Sequence, residues 1–237
     1  MSNSGIVARR KGIGSGLAFV VTGPSGAGKN SVIDRVMEEL PGLAFSVSYT
    51  TRPPREGEVD GVDYIYVSRE EFNRLVARGE FVEHMTYLGD MYGTSRSQIE
   101  DIFRQGKDVV LNIDVAGARA LREIGLDRYT IVYVFLTPSS LERLAERLRL
   151  RGSETEEQIA ERLRVAESEL RAIPAFDYLV INDDYETAVA ELSAIIVAER
   201  LRITEGSWER RGGRGRRPPG SFFARPLISA PPLIPLL

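Results

Sequence analysis

Residues 17–29, LAFVVTGPSGAGK, put an apolar run of strand length directly before a glycine-rich turn that ends in lysine. Apolar residues at Val32, Ile33, Val36, Met37 and Leu40 then recur at helical spacing, until Pro41-Gly42 ends the pattern. Gly23, Pro24, Ser25, Gly26, Ala27, Gly28 and Lys29 match the phosphate loop G-x-x-x-x-G-K, and the strand before it and helix after it are the context its mechanism needs. Glycines let the backbone curl so that successive N–H groups face one anion. The helix N-terminus adds the positive end of its dipole, and Lys29 adds a mobile charge for the β- and γ-phosphates of a nucleotide. The next position departs from the motif: Asn30 stands where a Ser or Thr hydroxyl would ligate Mg2+. An amide oxygen is also a hard ligand, but it sits on a longer side chain. Ser31 points about 100° further round the helix and is no direct substitute.

Downstream, the β-like stretches AFSVSYT and YIYV surround a polar turn, REGEVDG. Ser68 and Glu71 have capping-box spacing for a helix running to Gly79, and a second short helix spans roughly 96–105. VVLNID (109–114) and TIVYVFL (130–136) read as buried strands. Pro138-Ser139-Ser140 opens a helix through Leu150, Arg151-Gly152 breaks it, and Ser153 with Glu156 is placed to cap the next. YLVIN (178–182) is a further strand, and a final helix runs from Tyr185 to Arg202. Strands alternating with helices predict an α/β, three-layer P-loop fold with a central parallel sheet covered on both faces. The hairpin-like texture of residues 46–95 predicts an inserted subdomain. The expected organisation is a flexible extension (1–16), a domain (17–202) and a basic Gly/Pro/Arg-rich tail (203–237) without fixed structure. Within the domain, 17–45, 96–137 and 168–202 form the core.

Composition narrows the chemistry. No cysteine is present, which excludes disulfides, thiolate metal sites and cysteine nucleophiles. His84 is the single histidine, so no two-histidine metal site exists. No apolar run reaches the roughly 20 residues of a membrane helix, and the first 16 residues lack a signal-peptide core; a cytoplasmic protein is expected. Arg9, Arg10 and Lys11 and the six tail arginines leave a strongly acidic body behind the overall charge of -3. Such a body is a poor general nucleic-acid binder. No nucleic-acid, membrane or obligate protein partner is expected.

Residues 46–66 read SVSYTTRPPREGEVDGVDYIY. Arg52 and Arg55, three apart, lie beside the hydroxyls of Ser48, Thr50 and Thr51, with Tyr64 downstream. Two guanidinium forks with hydroxyl donors suit a phosphate dianion. Taken alone, the segment also reads as a solvated charged loop. Together with GPSGAGKN, however, this run resembles guanylate kinases. The similarity continues through Glu83, Tyr92-Gly93-Thr94, NID at 112–114, RLRLRGSETEEQIAERL at 147–163 and VIND at 180–183, and covers about residues 17–202.

The resemblance implies phosphorylation of GMP by ATP with Mg2+, dGMP being left open, by direct in-line transfer. It implies a GMP-binding subdomain at 46–95 and a helical lid at 138–167. Ser48, Arg52, Arg55, Tyr64 and Tyr92 would hold the GMP phosphate, and Glu83, Thr94 and Asp114 would read the guanine. The loop residues Gly23 to Asn30, with Asn182, would hold ATP. Lys29, Arg52, Arg147, Arg151 and Arg162 would supply positive charge to the moving phosphoryl group. The base chemistry agrees: guanine offers N1–H and N2–H2 as adjacent donors to a carboxylate, whereas adenine offers an unprotonated N1. Asn112 stands where many relatives carry an acid. Asp114 is then left either to read the guanine amine or to hold the Mg2+ hydration shell, Asn30 being the other metal candidate. His84 is expected to be structural, because the attacking phosphate oxygen is already ionised.

Two other readings share these motifs. A related kinase for another small phosphorylated acceptor is opposed by Glu83 with Thr94 and by the Arg52/Arg55 pair. A non-catalytic interaction module of the same fold is opposed by the intact glycines, Lys29 and lid arginines, and favoured only by Asn30.

Overall fold

The structure, a computed structural model, describes residues 16–87, 89–125, 129–152 and 155–202. The expectations for residues 1–15, for the 203–237 tail and for Ser153 lie outside the described residues. The elements run β1 (Leu17–Thr22), α1 (Lys29–Glu39), β2 (Leu43–Phe45), β3 (Tyr49–Thr50), β4 (Ile65–Tyr66), α2 (Arg69–Ala77), β5 (Phe81–Tyr87), β6 (Asp90–Ser95), α3 (Arg96–Arg104), β7 (Asp108–Asn112), α4 (Val115–Ile124), β8 (Thr130–Thr137), α5 (Leu141–Arg151), α6 (Glu156–Leu170), β9 (Tyr178–Ile181) and α7 (Tyr185–Leu201). A short 3-10 turn, Ile173–Ala175, precedes β9.

β1 is the middle strand of a five-stranded sheet of order β2-β7-β1-β8-β9, parallel throughout. Its side chains alternate between two apolar layers, as a strand's period of two requires. Leu17, Phe19 and Val21 join Val32, Ile33 and Val36 of α1 and Val189, Leu192 and Ile196 of α7. Ala18 and Val20 join Ile99 and Ile102 of α3 and Ala118 and Leu121 of α4 on the other face. Burial on both faces is why the strand reads as an unbroken apolar run. Asp108, at the start of β7, ties the layers together: its Oδ1 accepts from Leu17 N (3.1 Å) and its Oδ2 from Arg200 Nε of α7 (2.9 Å).

A second sheet has the order β4-β3-β6-β5, with β5 and β6 forming an antiparallel hairpin. Val82 of β5 packs into the α3/α4 layer and anchors this sheet to the body. Helices α5 and α6 share a small core of Leu144, Leu148, Ile159 and Ala166.

Two local expectations change. Helix α4 had no counterpart in the sequence pattern, because its first turn holds Gly117 and its buried face is only Val115, Gly117, Ala118 and Leu121. The start of α6 is set by Thr155, two residues after the expected cap. Thr155 Oγ1 accepts from Gln158 N, and the Gln158 side chain accepts from Thr155 N. Both pairs have capping-box spacing, and the one two residues later is used. Glu156 instead pairs with Arg149 at 3.0 Å. Among the described residues, no helix is long and apolar enough to cross a membrane.

The turn after β1 is constrained by its neighbour. Gly23 has φ +144°, and a Cβ there would lie 1.9 Å from the Leu136 carbonyl oxygen of β8. Since that oxygen belongs to a buried strand, it cannot give way. Gly23→Ala is therefore expected to lower the unfolding free energy by about 2–3 kcal/mol, read from urea denaturation.

Candidate active site

Of the seven helices described, six begin with a side-chain cap: Ser68, Ser95, Asp114, Ser140, Thr155 and Asp184. Helix α1 has none, and no acid in its first turn. Its N-cap is Gly28, held in the left-handed region at φ 86°, ψ 20°. The N-terminal amides of α1 and the positive end of its dipole are therefore left for an external anion.

Three elements far away in sequence hold the loop in shape. Asn182, at the end of β9, donates its amide to Ala27 O at 2.7 Å. Arg147 of α5 donates to Ala27 O (3.2 Å) and to Asn182 O (2.5 Å). Arg162 of α6 donates to Ser25 Oγ at 2.8 Å. The packing is close enough that a Cβ at Gly28 would come within 2.6 Å of Asn182 Nδ2. Two glutamates of α6 pair with other arginines, Glu156 with Arg149 and Glu161 with Arg164. Arg147 and Arg162 reach the loop. The backbone of Arg151 ends α5, but its side chain lies outside those described.

Lys29 folds back over the loop, with Nζ donating to Gly23 O (2.6 Å) and Pro24 O (3.1 Å). Burial lowers its pKa to about 8, against the pull of the Glu169 and Asp114 charges. Asn30 is exposed, and its Oδ1 accepts from Asn112 Nδ2 at 2.6 Å. The two positions that depart from the family pattern thus face each other.

Asp114 caps α4, accepting from Gly117 N at 2.7 Å. Burial raises its pKa, and the Lys29 charge partly offsets this. Across from it, Glu83 of β5 pairs in register with Thr94 of β6 and accepts that residue's hydroxyl at 2.5 Å. Burial pushes the Glu83 carboxyl up to about 7; the Thr94 bond opposes this and the Asp114 charge adds to it. Asp114 therefore interacts with Lys29 on one side and Glu83 on the other.

On the second sheet, Arg52 lies over the rings of Tyr64 (5.3 Å) and Tyr66 (5.9 Å). Tyr64 and Tyr92 meet edge to face at 6.0 Å. Ser48 is buried beside β3, whereas Arg55 is exposed. The His84 ring meets those of Phe72 and Phe81.

Two acids were not singled out in the sequence. Glu58 accepts from Arg52 Nη2 (2.9 Å), Arg55 N (2.7 Å) and Tyr66 OH (2.7 Å). Burial works against its charge, but these bonds outweigh it and hold the carboxyl at about 2. Its spacing, three residues after Arg55 and six after Arg52, was the available signal. Glu169 lies seven residues after Arg162, on the same face of α6. Burial raises it to about 7, with the Lys29 charge holding it down and Asp114 pushing it up.

A family model described as guanylate kinase matches residues 16–199. The guanylate kinase of Symbiobacterium thermophilum is 49% identical over 187 residues, which is 79% of this chain and 87% of the relative. That of Alkalilimnicola ehrlichii is 44% identical over 188 residues, 79% of this chain and 91% of the relative. Among solved structures, the crystal structure of guanylate kinase from Anaplasma phagocytophilum aligns with a TM-score of 0.64 at 33% identity, covering 81% of this chain and 89% of that one. A glycine loop with an uncapped helix, a facing carboxylate pocket and these matches over most of the chain lead to one assignment: the chain belongs to the guanylate kinase family.

Proposed function

We propose that this chain transfers the γ-phosphate of ATP to the phosphate of GMP, yielding ADP and GDP. The observation that carries this reading is Asp114, which crowds Gly117 together with the buried Glu83 and whose charge acts on Lys29 of the phosphate cradle. A site with a phosphate loop at one end and an acceptor-only carboxylate at the other is built for two nucleotides, one of them guanine. Glu83 and Thr94 read the base, with Asp114 beside them. Arg52, Arg55, Ser48, Tyr64 and Tyr92 receive the GMP phosphate. Substrates drawn from cytoplasmic nucleotide pools support a cytoplasmic enzyme.

The chemistry needs little from the protein beyond position and charge. An ionised GMP phosphate oxygen forms the new bond to the γ-phosphorus. The bond from that phosphorus to the β,γ-bridging oxygen breaks, and the electron pair leaves on ADP. No side chain has to move a proton. Lys29 exchanges the carbonyls of Gly23 and Pro24 for phosphate oxygens. Arg147 and Arg162, already against the loop, stabilise charge on the transferring group, joined by Arg151. Glu58 keeps the Arg52 fork oriented while it waits for the acceptor. Closure of α5 and α6 over the cleft excludes water, which would otherwise accept the phosphoryl group.

The oxygens near the loop fit Mg2+: the Asn30 and Asn112 amides and the Asp114 carboxylate are hard donors, and Mg2+ usually takes only one or two protein ligands beside nucleotide phosphates. Asn30 would offer its oxygen directly, and Asp114 would act through water. Bound with ATP, the ion neutralises charge on the β- and γ-phosphates.

A coupled ADP assay with GMP, dGMP, AMP and UMP as acceptors tests the assignment. Turnover with AMP equal to that with GMP would defeat it. In the same assay Lys29→Ala is expected to lower kcat by about 100-fold or more. The pH profile follows from Glu83. Guanine donors need the ionised carboxylate, and the free group titrates at about 7. Below that pH, kcat/KM for GMP is expected to fall by about tenfold per unit, and Glu83→Gln should abolish this limb. The paired amides make a third test. Asn30→Ser alone strands the Asn112 donor, so the Asn30→Ser/Asn112→Asp double variant should lower the Mg2+ concentration for half-maximal rate by about tenfold, more than either single change. Additive single effects would show that the two amides are independent.

A further inference from the structure

Gly117 is buried in the first turn of α4. It is not among the glycines with positive φ, so its backbone does not call for glycine. In a helix, glycine is less stable than alanine. The reason for it is space. A Cβ at Gly117 would lie 2.9 Å from Glu83 Oε2, 3.4 Å from Glu83 Cδ and 3.3 Å from Asp114 Oδ1. Two carboxylates from different elements, β5 and the cap of α4, crowd this one position. Both belong to the base-reading set, and Gly117 N is itself the donor that fixes Asp114.

We infer that Gly117 is a specificity-determining positioning residue: its missing side chain lets the first turn of α4 close against Glu83 and keeps that carboxylate aimed at the donor edge of guanine. This rests on the GMP assignment above and adds to it the residue that sets the acceptor geometry. The Thr94 hydroxyl holds Glu83 Oε1, so a methyl group pressing on Oε2 turns the carboxylate about that bond. A turned carboxylate no longer offers both oxygens in the plane of N1–H and N2–H2, and one charge-assisted hydrogen bond is lost. The obstruction is the end of a flexible side chain rather than backbone, so the body of the protein has no need to move.

Gly117→Ala in the full chain tests this, with kinetics for GMP and ATP and thermal unfolding measured on the same preparation. The expected KM for GMP rises by about tenfold, the cost of one hydrogen bond to a charged group. The KM for ATP should stay within about twofold, because the phosphate loop is untouched. Tm should hold or rise, since alanine is the better helix former. Introduced into Glu83→Gln, the same change should add less than about twofold to the KM for GMP, because Gly117 acts through that carboxylate. An unchanged KM for GMP in Gly117→Ala overturns the inference. So does a full additional loss on top of Glu83→Gln, or a lowered Tm with equal losses for both nucleotides, which would mark a packing role. An active wild-type chain with an indifferent Gly117→Ala defeats this inference alone. A wild-type chain that forms no GDP removes the GMP assignment and the inference with it.

Discussion

Lys29 carries a charge into a partly buried place, where a charge gains from being paired. Without nucleotide, its partners are two carbonyls of its own loop and the fields of Asp114 and Glu169. These groups stand in for the phosphates that the loop is shaped to hold. The charges of these two acids favour the ionised ammonium, while the start of α1 has no side-chain cap and no acid in its first turn. Arriving phosphates replace the carbonyls and meet an ammonium already in place.

The acceptor side follows the same logic. Arg52 waits with Glu58 on its fork, with Tyr64 and Tyr66 beneath it. A guanidinium held by one carboxylate and two rings has little rotamer freedom left to lose when a phosphate binds. The aligned fork costs less entropy at binding than a free one. Glu58 keeps its charge because three donors converge on it.

The parts of the site that depend on short-range spacing were readable from the chain. The loop from Gly23 to Lys29 announces itself, since each glycine and the lysine act through the local backbone, and β1 and α1 on either side have unambiguous apolar patterns. The central parallel sheet followed from runs such as 109–114 and 130–136. What could not be read were partnerships across the fold. Asn30 and Asn112 each stood out as departures, but their hydrogen bond spans 82 positions. Glu169 was one glutamate among many on α6 until its turn of helix was set beside Lys29. Helix α4 went unseen because its weakest feature as a helix, a glycine in the first turn, is dictated by two side chains that the local sequence does not contain.

The position of β1 in the sheet has a consequence for how the protein is made. The strand that carries the phosphate loop lies between β7 and β8, so Val20 sits beside Leu111 on one side and Tyr133 on the other. Asn182, which braces the loop, comes later still. During synthesis, therefore, this loop leaves the ribosome before the strands and the asparagine that surround it in the folded chain. Until the C-terminal half emerges, its glycines are merely flexible, and the nascent chain has no means of holding a nucleotide.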